Sequence, residues 1–216
     1  MAGFTGRSRE LGRLRTTLDG RESRVIRVTG IRGGGKSALV RRAVTEFPAL
    51  VHRCAPMPDA SIRAALGRWL PEAPSSWTEI FTEIAALGAE SSRPFVLVLD
   101  DAHRLAQARS RWLAPLLSLL VRRASDGAAP LHVVLVGQRD GLPGDDEIAP
   151  HGTEPIEVGP LPLRAACPLL PGSGAEDKVL AYGVFGGIPA VLARLDRDLT
   201  VGTNVRHLVL AHHFGD

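Results

Sequence analysis

The sequence predicts an α/β domain, a parallel β-sheet with helices on both faces, followed by a small C-terminal helical lid. Three observations carry this. Strand-like and helix-like segments alternate along most of the 216 residues, the pattern of a parallel sheet joined by crossover helices. Residues 95–99 are a continuously apolar run of strand length and 131–136 read as another buried strand, as expected of strands covered on both faces. From Arg164 onward only helical or irregular pieces remain. The sheet domain is therefore expected over residues 1–159 and the lid over 160–216.

The elements follow in order. Residues 25–29 predict the first strand and 36–46 a helix that Pro48 stops. Residues 50–54 are expected as the second strand. Asp59 caps a helical segment whose Ile62, Leu66, Trp69 and Leu70 share a face and which Pro71 ends. Ser76 opens another helix, and Glu79, three residues on, completes a capping box. Ile80, Ile84 and Leu87 form its apolar stripe, with Gly88 as its stop. After the apolar strand 95–99 comes a helix over 112–123, with Pro115 expected in its first turn. The strand 131–136 is followed by a polar loop, 141–152, rich in Gly, Pro and Asp, and by a short last strand, 156–158.

Composition excludes several classes. No apolar run is long enough to cross a bilayer, and charges interrupt residues 1–20 where a secretory segment would need an apolar stretch. No membrane partner is expected, and the default location is the cytoplasm. Cys54 and Cys167 have no Cys/His spacing suited to a metal and read as core thiols. The net charge of +3 comes almost wholly from arginine, since Lys36 and Lys178 are the only lysines. The pairs Arg41-Arg42 and Arg122-Arg123 fall near helix ends, where cations suit the dipole. Solvated helix faces account for these arginines; a nucleic-acid surface stays open as the alternative.

One segment points to phosphate chemistry. Gly30-Ile31-Arg32-Gly33-Gly34-Gly35-Lys36-Ser37 fits G-x-x-x-x-G-K-[ST], directly after a strand and at the start of a helix. Glycines let a loop wrap tightly enough for backbone N–H groups to face phosphate oxygens. The helix N-terminus brings partial positive charge to the same place. Lys36 is expected to reach the β- and γ-phosphates and Ser37 to ligate magnesium. Gly30, Gly33, Gly34, Gly35, Lys36, Ser37 and the following Ala38 make up the expected phosphate-binding set. A flexible glycine turn with a stray lysine is the bland alternative.

The run 95–99 ends in Asp100-Asp101. In a parallel sheet, ligands bind beyond the C-terminal strand ends, so these carboxylates and the glycine loop can face one crevice. Asp100 is expected to hold magnesium, and Asp101 to orient or deprotonate an attacking water. Gln138 and Arg139 end the 131–136 strand and are candidates to touch the γ-phosphate or that water. His103 and Arg104 are expected on a solvated helix surface.

These residues resemble the AAA-like ATPases of the signal-transduction (STAND) class, especially the archaeal-type ATPases. Phe4-Thr5-Gly6-Arg7-Ser8-Arg9-Glu10-Leu11 is similar to the start of such domains, which lies against the nucleotide base. Residues 30–37 resemble their Walker A motif, 97–103 their Walker B motif, and Val136-Gly137-Gln138-Arg139 their sensor segment. Phe185-Gly186-Gly187-Ile188-Pro189-Ala190 is similar to their Gly-x-Pro segment, whose proline packs on adenine. The resemblance implies a P-loop NTPase fold (ASCE/AAA-like), with the nucleotide strand central, and Gly6, Arg7 and Pro189 as further nucleotide contacts. Three departures stand out. The sensor is Gln138 where a small polar residue is commoner, and Thr153 stands where archaeal-type relatives often carry an arginine. Such proteins usually continue into a winged-helix or repeat domain, so a chain ending at Asp216 is expected to be a minimal member or a fragment.

The expected function is ATP binding with magnesium and slow hydrolysis that switches conformation, read by a protein partner or by self-association. Two rivals remain open: an oligomeric AAA ATPase acting on DNA, as a loader or in transposition or defence, and a module that binds ATP or ADP without turnover.

Overall fold

The computed structural model describes residues 6–55, 59–68, 70, 75–87 and 93–210. Its elements run α1 (Ser8–Leu18), β1 (Val25–Gly30), α2 (Lys36–Ala43), β2 (Ala49–Arg53), α3 (Asp59–Gly67), α4 (Trp77–Leu87), β3 (Phe95–Asp100) and α5 (Arg109–Ser125). Then follow β4 (Leu131–Gly137), α6 (Asp145–Ile148), β5 (Ile156–Val158), α7 (Leu163–Ala166), α8 (Ala175–Phe185), α9 (Pro189–Leu192) and α10 (Val201–Val205). Phe4, Thr5, Trp69, Pro71, Gly88 and Asp216 lie outside the described residues, as do the side chains of Asp59 and Ile62.

The strands form one parallel sheet in the order β2-β3-β4-β1-β5. Every residue of β3 and β4 is buried, which explains why their sequences are apolar apart from His132 and the terminal Asp100. Side chains alternate between two cores along these strands. Leu97, Leu99, Val133 and Leu135 pack with α4 and α5 residues such as Ile80, Phe81, Trp112 and Leu116. Val96, Val98, Val134 and Val136 pack with Leu14 and Leu18 of α1 and Leu39 and Val40 of α2. The middle strand is β4, and β1 lies between β4 and β5, so the strand that opens the glycine loop is internal but not central. The consequence is that β4 separates it from the acidic strand β3.

Local departures from expectation have local causes. The helix expected over 36–46 ends at Ala43, and a 3-10 turn, Val44–Glu46, completes it. The α5 helix begins at Arg109, fed by the 3-10 turn Ala102–Ala108, so Pro115 lies inside it and not in its first turn. Proline there forfeits one backbone bond; the buried Trp112, Leu113 and Leu116 around it hold the helix together. The 141–152 loop contains the single turn α6, whose first turn is tied by the Gly144 N–H donating to the Glu147 carboxylate at 2.7 Å. The Ser76–Glu79 box forms: Ser76 Oγ accepts from the Glu79 N–H at 3.2 Å. The Ser75 N–H and hydroxyl donate in return to the Glu79 carboxylate. These bonds to Ser75, seconded by Ser76, hold the Glu79 carboxyl below its ordinary range.

Two buried polar residues lie on the neighbouring strands β4 and β1. His132 of β4 is fully buried, and among the described residues neither ring nitrogen has a partner in hydrogen-bond geometry. Arg27 of β1 is also buried; it donates to the Pro143 carbonyl at 3.0 Å and to Thr153 O at 3.4 Å, and pairs with Asp145. It thereby ties the 143–153 loop to the sheet.

The C-terminal helices have a core of their own, in which Leu161, Ala166, Leu170, Ala181, Phe185, Leu192, Leu195 and Val201 cluster. Cys54 lies in the main core, where burial pushes its thiol up to about 12; Cys167 is only half-buried. No helix of the described residues is long and apolar enough to cross a membrane.

Candidate functional site

The glycine loop is shaped by its neighbours. Gly30 ends β1 with φ +140°, and a Cβ there would lie 2.2 Å from the Val158 carbonyl of β5. Only glycine lets the two strands approach so closely at the mouth of the loop. Gly35, at φ 93°, caps α2 without a side chain, leaving the first-turn N–H groups of that helix to face whatever the loop holds.

The Lys36 ammonium donates to the carbonyls of Gly30 and Ile31, each at 2.8 Å. Burial lowers the Lys36 pKa, against the opposing pull of Asp101 and Asp100. The Ser37 hydroxyl donates to Asp100 Oδ1 at 2.9 Å. Two residues 63 apart in sequence, both expected at magnesium, are thus in contact. Asp100 is 4% exposed, and the same oxygen accepts the Asp101 N–H at 3.1 Å. Asp101 adopts a left-handed backbone, φ 58°, which aspartate tolerates better than most side chains. Arg53 Nε lies 3.1 Å and Arg104 Nε 3.9 Å from its Oδ2.

These groups open into one cleft of about 620 Å³. Of the expected set, Gly33, Gly35, Lys36, Ser37, Ala38, Asp101 and Gln138 form its wall. Gly34 is buried in the loop beneath, and Asp100 reaches the cleft through Ser37. Arg139 is exposed at the start of a 3-10 turn and is not part of the wall. Pro189 stands just behind it: a Cβ on Gly35 would lie 3.8 Å from Pro189 Cγ, while its neighbours Ile188, Ala190 and Val191 line the cleft. The Ala190 N–H donates to the Gly33 carbonyl at 3.2 Å, so α9 rests directly on the loop.

Gly6 and Arg7 lie elsewhere. Gly6, at φ 73°, packs under α7, where a Cβ would meet Ala165 Cβ at 2.3 Å. Arg7 is buried; its guanidinium donates to Gly34 O at 3.0 Å and to Gly159 O, and pairs with Glu10 at 3.1 Å. It joins α1, the glycine loop and the start of the C-terminal segment through backbone carbonyls.

Sequence reasoning missed four polar residues of the cleft. Arg53 closes β2, and its strand-end position was the available signal. Arg32 lay inside the glycine motif without a role. His103 and Arg104 were expected on an outer helix face, but the 3-10 turn after Asp101 folds them into the wall. With Lys36, the three arginines make this a strongly cationic cleft, suited to a polyanion.

Comparisons with known proteins agree with this geometry. No curated protein matches the sequence significantly. Among solved structures, a Walker-type ATPase of Pyrococcus abyssi is similar at a TM-score of 0.69 and 18% identity, over 95% of this chain and 71% of that one. The ORC1 protein of Aeropyrum pernix, solved in complex with DNA, is similar at 0.60 and 13% identity, over 100% of this chain and 63% of that one. A STAND protein of Pyrococcus horikoshii with a tetratricopeptide repeat sensor gives 0.60 and 15%, over 100% of this chain but only 33% of that one. At these identities the likeness speaks for the fold, which is that of a P-loop NTPase. The family model described as AAA domain matches residues 19–143, a span running from the end of α1 past the glycine loop, the acidic strand and Gln138, and on more than half of its length the chain belongs to the AAA domain family.

Proposed function

We propose that the cleft binds ATP with magnesium and that the chain hydrolyses it slowly, as a nucleotide-dependent conformational switch. The contact between Ser37 and Asp100 at the base of the glycine loop carries this reading. A hydroxyl and one carboxylate form the sparse, hard oxygen set that magnesium takes when phosphates complete its shell. Ser37 and Asp100 would hold the ion, which when bound neutralises charge on the phosphate oxygens. Lys36 would exchange the Gly30 and Ile31 carbonyls for the β- and γ-phosphates, and the N–H groups of residues 33–38 would cradle them. Gln138 would contact the γ-phosphate or the water, with Arg139 beside it. Gly6, Arg7 and Pro189 would border the base end; for Arg7 the carbonyl contacts favour holding the loop in shape over touching the base.

Asp101 would accept a hydrogen bond from the attacking water and orient it. Two features favour slow turnover. Aspartate is one methylene shorter than the glutamate that faster ATPases place here, and Arg53 and Arg104 compete for its oxygen. We therefore expect phosphate release by the isolated chain well below about one per second. Asp101→Asn should slow it further while ATP binding is kept. Brisk turnover by dilute monomer, or an Asp101→Asn chain as fast as wild type, sinks the switch reading.

Residues 160–216 are proposed as a lid, supported by their separate apolar cluster and by the seat of α9 on the glycine loop. If the lid reaches the base, Pro189→Gly should weaken ATP and ADP alike, by about threefold to tenfold, read by titration with each nucleotide. Loss of affinity for ATP alone would place Pro189 at the phosphates instead. The likeness to a DNA-bound ORC1 protein keeps a second reading open, an oligomeric ATPase acting on DNA. Hydrolysis that climbs with protein concentration or on adding duplex DNA would favour it.

A further inference from the structure

A histidine that the proposed chemistry does not use stands in the wall of the cleft. His103 is the second residue of the 3-10 turn Ala102–Ala108 and lines the cleft beside Lys36, Asp101 and Gln138. Its ring lies against the last residue of β4: a Cβ on Gly137 would sit 3.0 Å from His103 Nδ1 and 3.1 Å from its backbone nitrogen. A Cβ on Gly141 would come within 2.5 Å of His103 Cβ. Glycines on both sides of Gln138 and Arg139 thus make room for this one side chain. Nδ1 is buried with no hydrogen-bond partner among the described residues. The half-buried ring is closed on that edge, so the edge carrying Nε2 is the one open to the cleft.

The sheet order says what the open edge faces. β4 lies between β1, which runs into the glycine loop, and β3, which ends at Asp100. Gly137 pairs with Thr29, one residue before Gly30. A phosphate chain that starts in the loop and meets a cation at Ser37 and Asp100 must cross the end of β4, its last phosphate nearest β3. A ring resting on Gly137 faces that phosphate and not the base. An N–H buried without an acceptor loses its bond to water outright, so the proton is better placed on Nε2 than on the sealed Nδ1. A hydrogen-bond donor then points into the cleft.

We propose that His103 donates a hydrogen bond from Nε2 to the terminal phosphate of a bound nucleoside triphosphate, making the site prefer triphosphate over diphosphate. The proposal rests on the reading of the cleft as an ATP site. The proton stays on the ring, and no covalent bond changes.

Calorimetric titration with ATP and with ADP, in magnesium, tests it on the full chain. His103→Phe keeps the ring and removes the donor. It should weaken ATP about tenfold or more, the range for a bond to a charged acceptor, and leave ADP within about twofold. His103→Gln, which restores an N–H near the place of Nε2, should recover most of the preference. Should the Phe variant not fold, His103→Ala against His103→Gln makes the same comparison. Unchanged ATP affinity overturns the proposal, and so does an equal loss for both nucleotides, since the ring then only props the turn. A wild-type chain that binds neither nucleotide defeats the ATP reading itself, and this contact with it.

Discussion

Replacing Lys36 with Ala should raise the ATP dissociation constant about tenfold to a hundredfold, the range for losing a hydrogen bond to a charged group at about 1.5–3 kcal/mol. Its ammonium stands at the loop mouth, held by two carbonyls at 2.8 Å that have no counter-charge to offer. Phosphate oxygens offer charge as well as acceptors, so the exchange is favourable. Burial already disfavours the charged form of Lys36, and an anion beside it relieves that cost. The fold should survive. The carbonyls of Gly30 and Ile31 border an open cleft and can turn to water, so the melting free energy should change by less than about 1 kcal/mol. Calorimetry for affinity and chemical denaturation for stability read the two effects separately. Wild-type affinity in a folded Lys36→Ala chain would falsify the phosphate cradle.

The second large effect is on stability and follows from His132. Burial pushes its pKa down to about 4; the nearby backbone carbonyls of Gly20 and Leu18 oppose this, Arg24 adds to it and Asp19 opposes it. An unfolded chain protonates this ring near pH 6.5, whereas the fold admits the proton only near 4. Between those values the unfolded state binds more protons, so stability falls as the pH drops. The full difference is about 3 kcal/mol, at roughly 1.4 kcal/mol for each pH unit between the two values. Stability should therefore hold above about pH 6.5 and decline steadily toward pH 4. His132→Leu should remove that part of the decline, because no proton is then excluded from the site. Urea midpoints of both chains at several pH values check it; parallel curves would show that other groups govern the acid limit.

What could be read in the sequence was whatever local pattern alone decides. β3 and β4 were legible because burial on both faces forces a nearly continuous apolar run, interrupted in β4 by His132 alone. The glycine loop was legible because its conformation admits few residue types, and the Ser76–Glu79 cap because it closes within one turn. The start of α5 was not. Pro115 looked like a first-turn proline, yet tertiary packing of Trp112 and Leu116 extends the helix behind it. The cleft residues that were missed depend on the sheet. Arg53 meets Asp101 because β2 lies beside β3, and His103 meets Gly137 because β4 lies on the other side. The resemblance made Arg7 a nucleotide contact, and nothing in the local sequence told of its partners. It is buried because carbonyls 27 and 152 residues away gather on it.

The place of β1 in the sheet has a consequence for how the chain acquires its cleft. β1 is made early, but both of its partners are made late: Val25 pairs with Val133, and Val28 with Ile156. No strand adjacent in sequence can pair with it meanwhile, because its neighbours in the sheet are β4 and β5. On a ribosome, β1 must therefore emerge and wait, with both of its edges unpaired, while about a hundred further residues are added to complete β4. Loop closures of that length slow folding and lengthen the exposure of apolar strands. By contrast, β2 and β3 are joined through α3 and α4 and can pair without the distant end of the chain. The half of the sheet that bears Asp100 can then pair first, and the strand that opens the glycine loop gains its partners only once β4 and β5 are made. A nascent chain stalled before β5 would carry every residue of the glycine loop and still lack the strand edge against which Gly30 is set.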